Sequence, residues 1–245
     1  MKTISLWLVI LPSLLISCTN EQIITTGVEN ISKKTALNSK SSILRDPANP
    51  ANPYDAAGKA HNAILEIYET LDTSTDTTIL RISQRVNEIA LQNKELATLN
   101  MGNDTSLISP KEIEEILRNP MVKFDQSLSK SAMTNSAKLC LSDFIDSLLL
   151  LEKEDYELIY QTIVLFEASV INNKKFTALD KKIILSATSI ARYLIQVKKK
   201  RKDPDWKTST GNLIGGVIGA IDNSFKAVTA SVIIGVSNQK NILTK

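Results

Sequence analysis

The chain has 245 residues, 43% of them hydrophobic, with 29 Lys and Arg against 26 Asp and Glu for a formal charge of +3. That length accommodates one substantial domain, and the near-even charge removes any bulk electrostatic case for nucleic acid. One histidine, His61, and two cysteines, Cys18 and Cys140, are too few for the usual zinc sets.

The N-terminus, MKTISLWLVILPSLLISC, carries one cation at Lys2. An apolar run follows from Ile4 to Ile16, broken only by Ser5 and the Pro12-Ser13 pair, and then small Ser17 before Cys18. The order charged, apolar, small is that of a secretory signal, too short and one-sided for a permanent membrane helix. Leu15-Ile16-Ser17-Cys18 resembles the lipobox of bacterial lipoproteins. That resemblance implies a signal peptide at 1–17, diacylglyceryl transfer to the Cys18 sulfur, cleavage before it and acylation of the new amino terminus. Two or three acyl chains hold a protein durably on a membrane where one does not. The alternative is an ordinary secretory signal with a chance cysteine. Removing Lys2 with the signal lowers the formal charge from +3 to +2. If Cys18 is lipidated, no second cysteine is left for an intrachain disulfide, and the fold is then expected to stand on its core.

Residues 18–54 read as the lipidated cysteine and a flexible tether: no hydrophobic period, much Ser, Thr, Asn and Lys. A coil of that length reaches roughly 30 Å. Pro47, Pro50 and Pro53 recur every third residue. Since polyproline II repeats every three residues, the spacing predicts a short, stiff, extended piece.

Residues 55–245 read as an all-α domain. Ala57, His61, Ile64, Leu65, Tyr68 and Leu71 form the stripe of an amphipathic helix, and Ile79, Ile82, Val86, Ile89 and Leu96 a second. Ser109-Pro110-Lys111-Glu112 opens a short third helix as a capping box with proline at the first position. It ends at Asn119-Pro120, because proline disfavours helical geometry in the residue before it. No proline occurs from Met121 to Asp203 and no glycine from Asn103 to Thr210, which favours long helices. Their stripes are Leu141, Phe144, Ile145, Leu148 and Leu151, then Tyr156, Ile159, Ile163, Phe166 and Val170. A third, starting at Thr177 with Asp180 in its first turn, carries Ile183, Ala187, Ile190, Leu194 and Val197. The pattern predicts a bundle of about six to eight helices.

Lys198-Lys199-Lys200-Arg201-Lys202 either touches anionic lipid headgroups or nucleic acid, of which a membrane or anionic-glycan contact suits an exported protein better, or finishes a helix whose carbonyl end favours positive charge before Asp203-Pro204. Segment 211–236 holds five of the eight glycines, with Gly211, Gly215 and Gly219 four apart. On a helix they form one column that admits a close neighbour. Asp222, Asn223, Ser224 and Lys226 cut the apolar residues into runs of about ten, short of the roughly 20 a lone span needs. A close-packed helix or hairpin is expected, with bilayer insertion or oligomerisation through this glycine zipper as the alternative.

No phosphate loop, nucleophile elbow or dinucleotide fingerprint occurs. Cys140, between Leu139 and Leu141, reads as a small buried hydrophobe. Glu112, Glu114 and Glu115, and Glu152, Glu154 and Asp155, offer paired carboxylates for glycoside hydrolysis, although solvated helix starts explain them. The remaining cluster is Asn52, Pro53, Tyr54, Asp55, Gly58, His61 and Asn62. Asp55 is expected to cap the first helix with its carboxylate. Gly58 sits inside the first turn at a cost of about 1 kcal/mol, which calls for close packing. His61 lies about 120° around the helix from Asp55, on the core side, as a structural histidine; a hydrolase-like general base is the weaker alternative.

The string N-P-Y-D-x-x-G-x-x-H-N after a lipobox resembles the start of small uncharacterised lipoproteins of Bacteroidetes-type bacteria. The likeness covers the signal and about eleven residues, and brings no reaction or cofactor beyond the lipid on Cys18. It implies a lipid-anchored location in the cell envelope. Thr19 after the cysteine, rather than aspartate, is compatible with the outer membrane. The expected function is a binding or structural module whose partner is an envelope protein or glycan, with the membrane reached through the anchor and no nucleic acid involved.

Overall fold

A computed structural model describes residues 45–99, 104–151, 154–201, 206–240 and 242, with side chains for all of these except 198–201 and 206–209. The signal, Cys18, the tether up to residue 44, Glu152 and the side chains of the Lys198–Lys202 run lie outside that description.

The fold is all-α, and among the described residues there is no strand. These described residues hold ten helices in order: α1 Ala56–Thr70, α2 Ile79–Leu91, α3 Lys94–Leu99, α4 Pro110–Arg118, α5 Pro120–Lys130, α6 Asn135–Leu150, α7 Tyr156–Asn172, α8 Ala178–Arg201, α9 Trp206–Asp222 and α10 Ser224–Gln239. The helices beyond the expected number of about six to eight have two local causes. The second stripe breaks at Gln92-Asn93, and the Asn93 carboxamide accepts from the Leu96 amide at 2.9 Å, starting α3 afresh. Pro120, read as a terminator, also opens α5 at its first position, where its missing N–H costs nothing.

The helix starts follow side-chain chemistry. Thr78, Ser109, Thr134 and Asn223 each accept from the amide three residues on. Thr177 and Asp180 bond reciprocally: the Asp180 amide donates to Thr177 Oγ1 at 3.1 Å and the Thr177 amide to Asp180 Oδ2 at 2.9 Å. Asp180 also accepts from the backbone and hydroxyl of Thr134 at 2.9 and 3.0 Å, tying the start of α6 to that of α8.

Helix α8 is the axis of the bundle, packed by α1, α7 and α9. From Ile183 to Gln196 every residue is buried, so the stripe read from the sequence understates it; each large apolar side chain there contributes about 1.5–3 kcal/mol. Helix α7 meets α6 through the Phe144–Phe166 stack, whose centroids are 4.0 Å apart.

Helices α9 and α10 form a hairpin turned on Asn223 alone, whose carboxamide oxygen accepts from the Lys226 amide at 2.8 Å. The polar group that divides the apolar runs is this turn. The glycine column faces α10. A methyl at Gly211 would stand 3.0 Å from the Asn238 amide nitrogen, at Gly215 2.3 Å from Ile234 Cδ1, and at Gly219 2.3 Å from the Lys226 carbonyl oxygen. Gly235 contributes from the opposite side, against Asn212. Residues 211–220 and 227–234 are buried throughout. Among the described residues no helix is long and apolar enough to cross a membrane.

Candidate functional site: a strap clamped over a buried ion pair

Residues 45–54, assigned to the tether from the sequence, belong to the folded domain. Their triplets, Asp46-Pro47-Ala48, Asn49-Pro50-Ala51 and Asn52-Pro53-Tyr54, repeat one local geometry. The first side chain of each accepts from the third residue's amide: Ala48 to Asp46 at 3.0 Å, Ala51 to Asn49 at 3.2 Å and Tyr54 to Asn52 at 2.8 Å. These are Asx turns. Backbone bonds Asn52 N–H to Asn49 O at 2.9 Å and Asp55 N–H to Asn52 O at 3.1 Å close the tighter bends. The extended polyproline piece expected from the period of three is thus absent. The same period places an Asx residue before each proline, and its side chain bends the backbone.

Bending the backbone through Oδ1 leaves the Nδ2 donors of Asn49 and Asn52 facing inward. Both end on Glu167, which is fully buried on α7: Asn49 Nδ2 to Oε2 at 2.6 Å and Asn52 Nδ2 to Oε1 at 2.7 Å. Thr188 Oγ1 and Arg192 Nε also donate to Oε1, at 2.8 and 3.1 Å. Arg192, also fully buried, completes its fork by donating to the Pro47 carbonyl and to Asp55 Oδ1. Burial works against its charge, but Glu167 and Asp55 outweigh that and hold the guanidinium more firmly protonated than usual. Further ties are Tyr160 OH to Ala48 O at 3.0 Å, Asn52 Nδ2 to Leu185 O at 2.9 Å and Gln196 Nε2 to Arg45 O at 2.8 Å. A charged pair in the interior is tolerated only when its atoms find hydrogen-bond partners, and here each guanidinium nitrogen and both carboxylate oxygens have one.

The expected helix cap is corrected. Asp55 occupies the N-cap position of α1 but makes no side-chain cap bond. Its carboxylate instead takes the Asn49 amide at 3.2 Å, Arg192, and the Tyr193 hydroxyl at 3.4 Å. The cap is supplied from α8: Ser189 Oγ accepts from the Gly58 amide at 2.9 Å and donates to the Asp55 carbonyl at 2.9 Å. This explains Gly58, since a Cβ there would lie 2.5 Å from the Ser189 carbonyl oxygen and 2.4 Å from the Tyr193 ring. Asn62 sits outside this cluster, donating to Glu66 at 2.9 Å.

His61 lies fully buried on the next turn of α1, and neither ring nitrogen has a hydrogen-bond partner. Burial alone lowers its pKa to about 4. The ring is neutral at pH 7, and no hydrogen bond joins it to Tyr54, Asn62 or a carboxylate. Because the folded pKa lies below the ordinary 6.5, the unfolded chain takes up the proton first. Stability is complete above about pH 6.5 and declines as pH falls toward 4. His61→Leu is expected to remove this slope. Urea unfolding at pH 7 and pH 5 should show wild type losing about 2 kcal/mol more than the variant; equal losses would discard this account.

Cys140 is buried on the apolar face of α6, as expected, but it is disulfide-bonded and not a free thiol, which corrects the reading of it as an unpaired small hydrophobe. Glu115 pairs with Lys123 across α4 and α5, which draws its pKa down. Among the described residues there is no group of His, Cys, Asp and Glu that could hold a metal ion. No family model, curated protein or solved structure matches the chain.

The sequence reading singled out Asn52 and Asp55 but missed Asn49, Glu167, Ser189 and Arg192. A signal was there: Glu167 is a lone charge inside IVLFEASVI, and Arg192 is the one charge between Lys182 and Lys198.

Proposed function

We propose that the protein is a lipid-anchored component of a bacterial cell envelope, at the outer membrane, acting as a non-enzymatic binding or structural module. The observation that carries this reading is the strap. The chain that follows the lipobox and tether is built into the interior, where Asn49, Asn52 and Asp55 are spent on Glu167 and Arg192. A chain tied down in this way suits a domain held at a membrane by its N-terminus. This buried polar cluster is occupied by the chain's own groups, which suits a scaffold better than a hydrolytic centre. Burial of the glycine-rich hairpin inside the bundle favours this over the membrane-active alternative, in which 211–236 would have to leave the core.

The test is the anchor. Cys18→Ala should abolish incorporation of labelled fatty acid in cells and move the protein from the membrane to the soluble fraction. Unchanged labelling would refute the anchored reading. An envelope protein or glycan is the expected partner class, through a surface other than the clamp.

A further inference from the structure

The strap and the helical core are held by different physics. Arg45 to Asp55 contains no large aliphatic side chain; Pro50, Ala51 and Pro53 are exposed, and Pro47 and a half-buried Tyr54 supply its apolar contact. Its attachments are polar: Arg45 O to Gln196, Pro47 O to Arg192, Ala48 O to Tyr160, Asn49 and Asn52 to Glu167, Asp55 to Arg192 and Ser189. Such bonds are exchanged for bonds to water when a segment lifts, so their net contribution is small beside their number. Lifting the strap also lets water reach Glu167 and Arg192, which keep each other at 3.1 Å. The axis helix α8 and the α9–α10 hairpin, by contrast, are held by continuous apolar burial that water does not replace.

We infer that Arg45–Asp55 is a latch that opens as a unit while the helical core stays folded, a sub-global transition of the kind that separates weakly buried segments from cores. Opening frees ten peptide links, about 35 Å of contour, to the chain before Arg45. The opening stands on the contacts alone. Its consequence, a domain with a short and a long reach from the bilayer, rests on the anchor proposed above.

Amide hydrogen exchange on the full chain tests it. Ala48, Asn49, Ala51, Asn52, Tyr54 and Asp55 all have amides bonded within the strap. They are expected to exchange as one group, at an opening free energy well below that of core amides such as Ile190, Val217 and Ile233. Asn49→Ala, which removes an Asx turn and a donor to Glu167, should speed the strap group by about tenfold or more and leave the core amides unchanged. The latch is overturned if strap and core share one opening free energy in the native chain, or if the variant leaves the strap group unmoved or moves both groups equally. None of these readouts depends on Cys18 lipidation, so the anchor and the latch fail separately.

Discussion

Replacing Arg192 with methionine is expected to lower the stability of the domain by about 3–5 kcal/mol, read as the urea midpoint at constant slope. Methionine fills much of the arginine stem but leaves Glu167 and Asp55 facing each other without their cation, and strands the Pro47 carbonyl. Adding Glu167→Gln to Arg192→Met removes the orphaned charge while keeping an acceptor for the strap asparagines. The double variant should recover about 2 kcal/mol relative to additivity, within the range of coupled neighbours. If the single variant lies within 1 kcal/mol of wild type, or the double shows no coupling, the clamp does not hold the strap as described.

The second large effect is expected at the hairpin turn. Alanine at Gly219 would place a Cβ 2.3 Å from the Lys226 carbonyl oxygen and 2.5 Å from the Ala227 nitrogen, all backbone that cannot rotate aside. The helices must splay there, and overpacking of this kind costs about 1–3 kcal/mol or more. The gain of about 1 kcal/mol from replacing a helical glycine offsets only part of it. Gly211→Ala is the internal comparison: its nearest neighbour is the end of the Asn238 side chain at 3.0 Å, which can turn. Thermal melts should therefore place Gly219→Ala well below wild type and Gly211→Ala close to it. Equal losses at both positions would mean that the glycine column acts through helix propensity rather than through close approach.

How far the sequence could be read divides by the range of the interaction. The stripes on α1, α2, α6 and α7 were legible because helical periodicity is a property of neighbours three and four apart. So were Ser109-Pro110 at α4 and Thr177 with Asp180 at α8, because a cap and its amide lie within one turn. The hairpin at 206–239 was half legible: glycine spacing announces close packing but does not name the neighbour, and Gly235, opposite Asn212, stands apart from the column on the other helix. The strap was misread. Three prolines at intervals of three have the same spacing in polyproline II and in a chain of Asx turns. The choice between them was made by side chains on α7 and α8, more than a hundred residues away, that take the asparagine amides.

The sequence by itself determined the all-helical class, the helix starts at Ser109 and Thr177 and the stop at Asn119, the core-side placement of His61 and the need for a close neighbour at Gly58 and Gly219, all consequences of local geometry. Only the tertiary structure decided that the domain begins at least as early as Arg45, that Ser189 rather than the Asp55 carboxylate caps α1, and that Glu167 and Arg192 form a pair. A charge is placed in the interior when distant groups arrive to satisfy it, and the distance along the chain between Asn49, Glu167 and Arg192 carries no periodic signal. Burial and partner are settled together, by the packing of α7 and α8 under the strap.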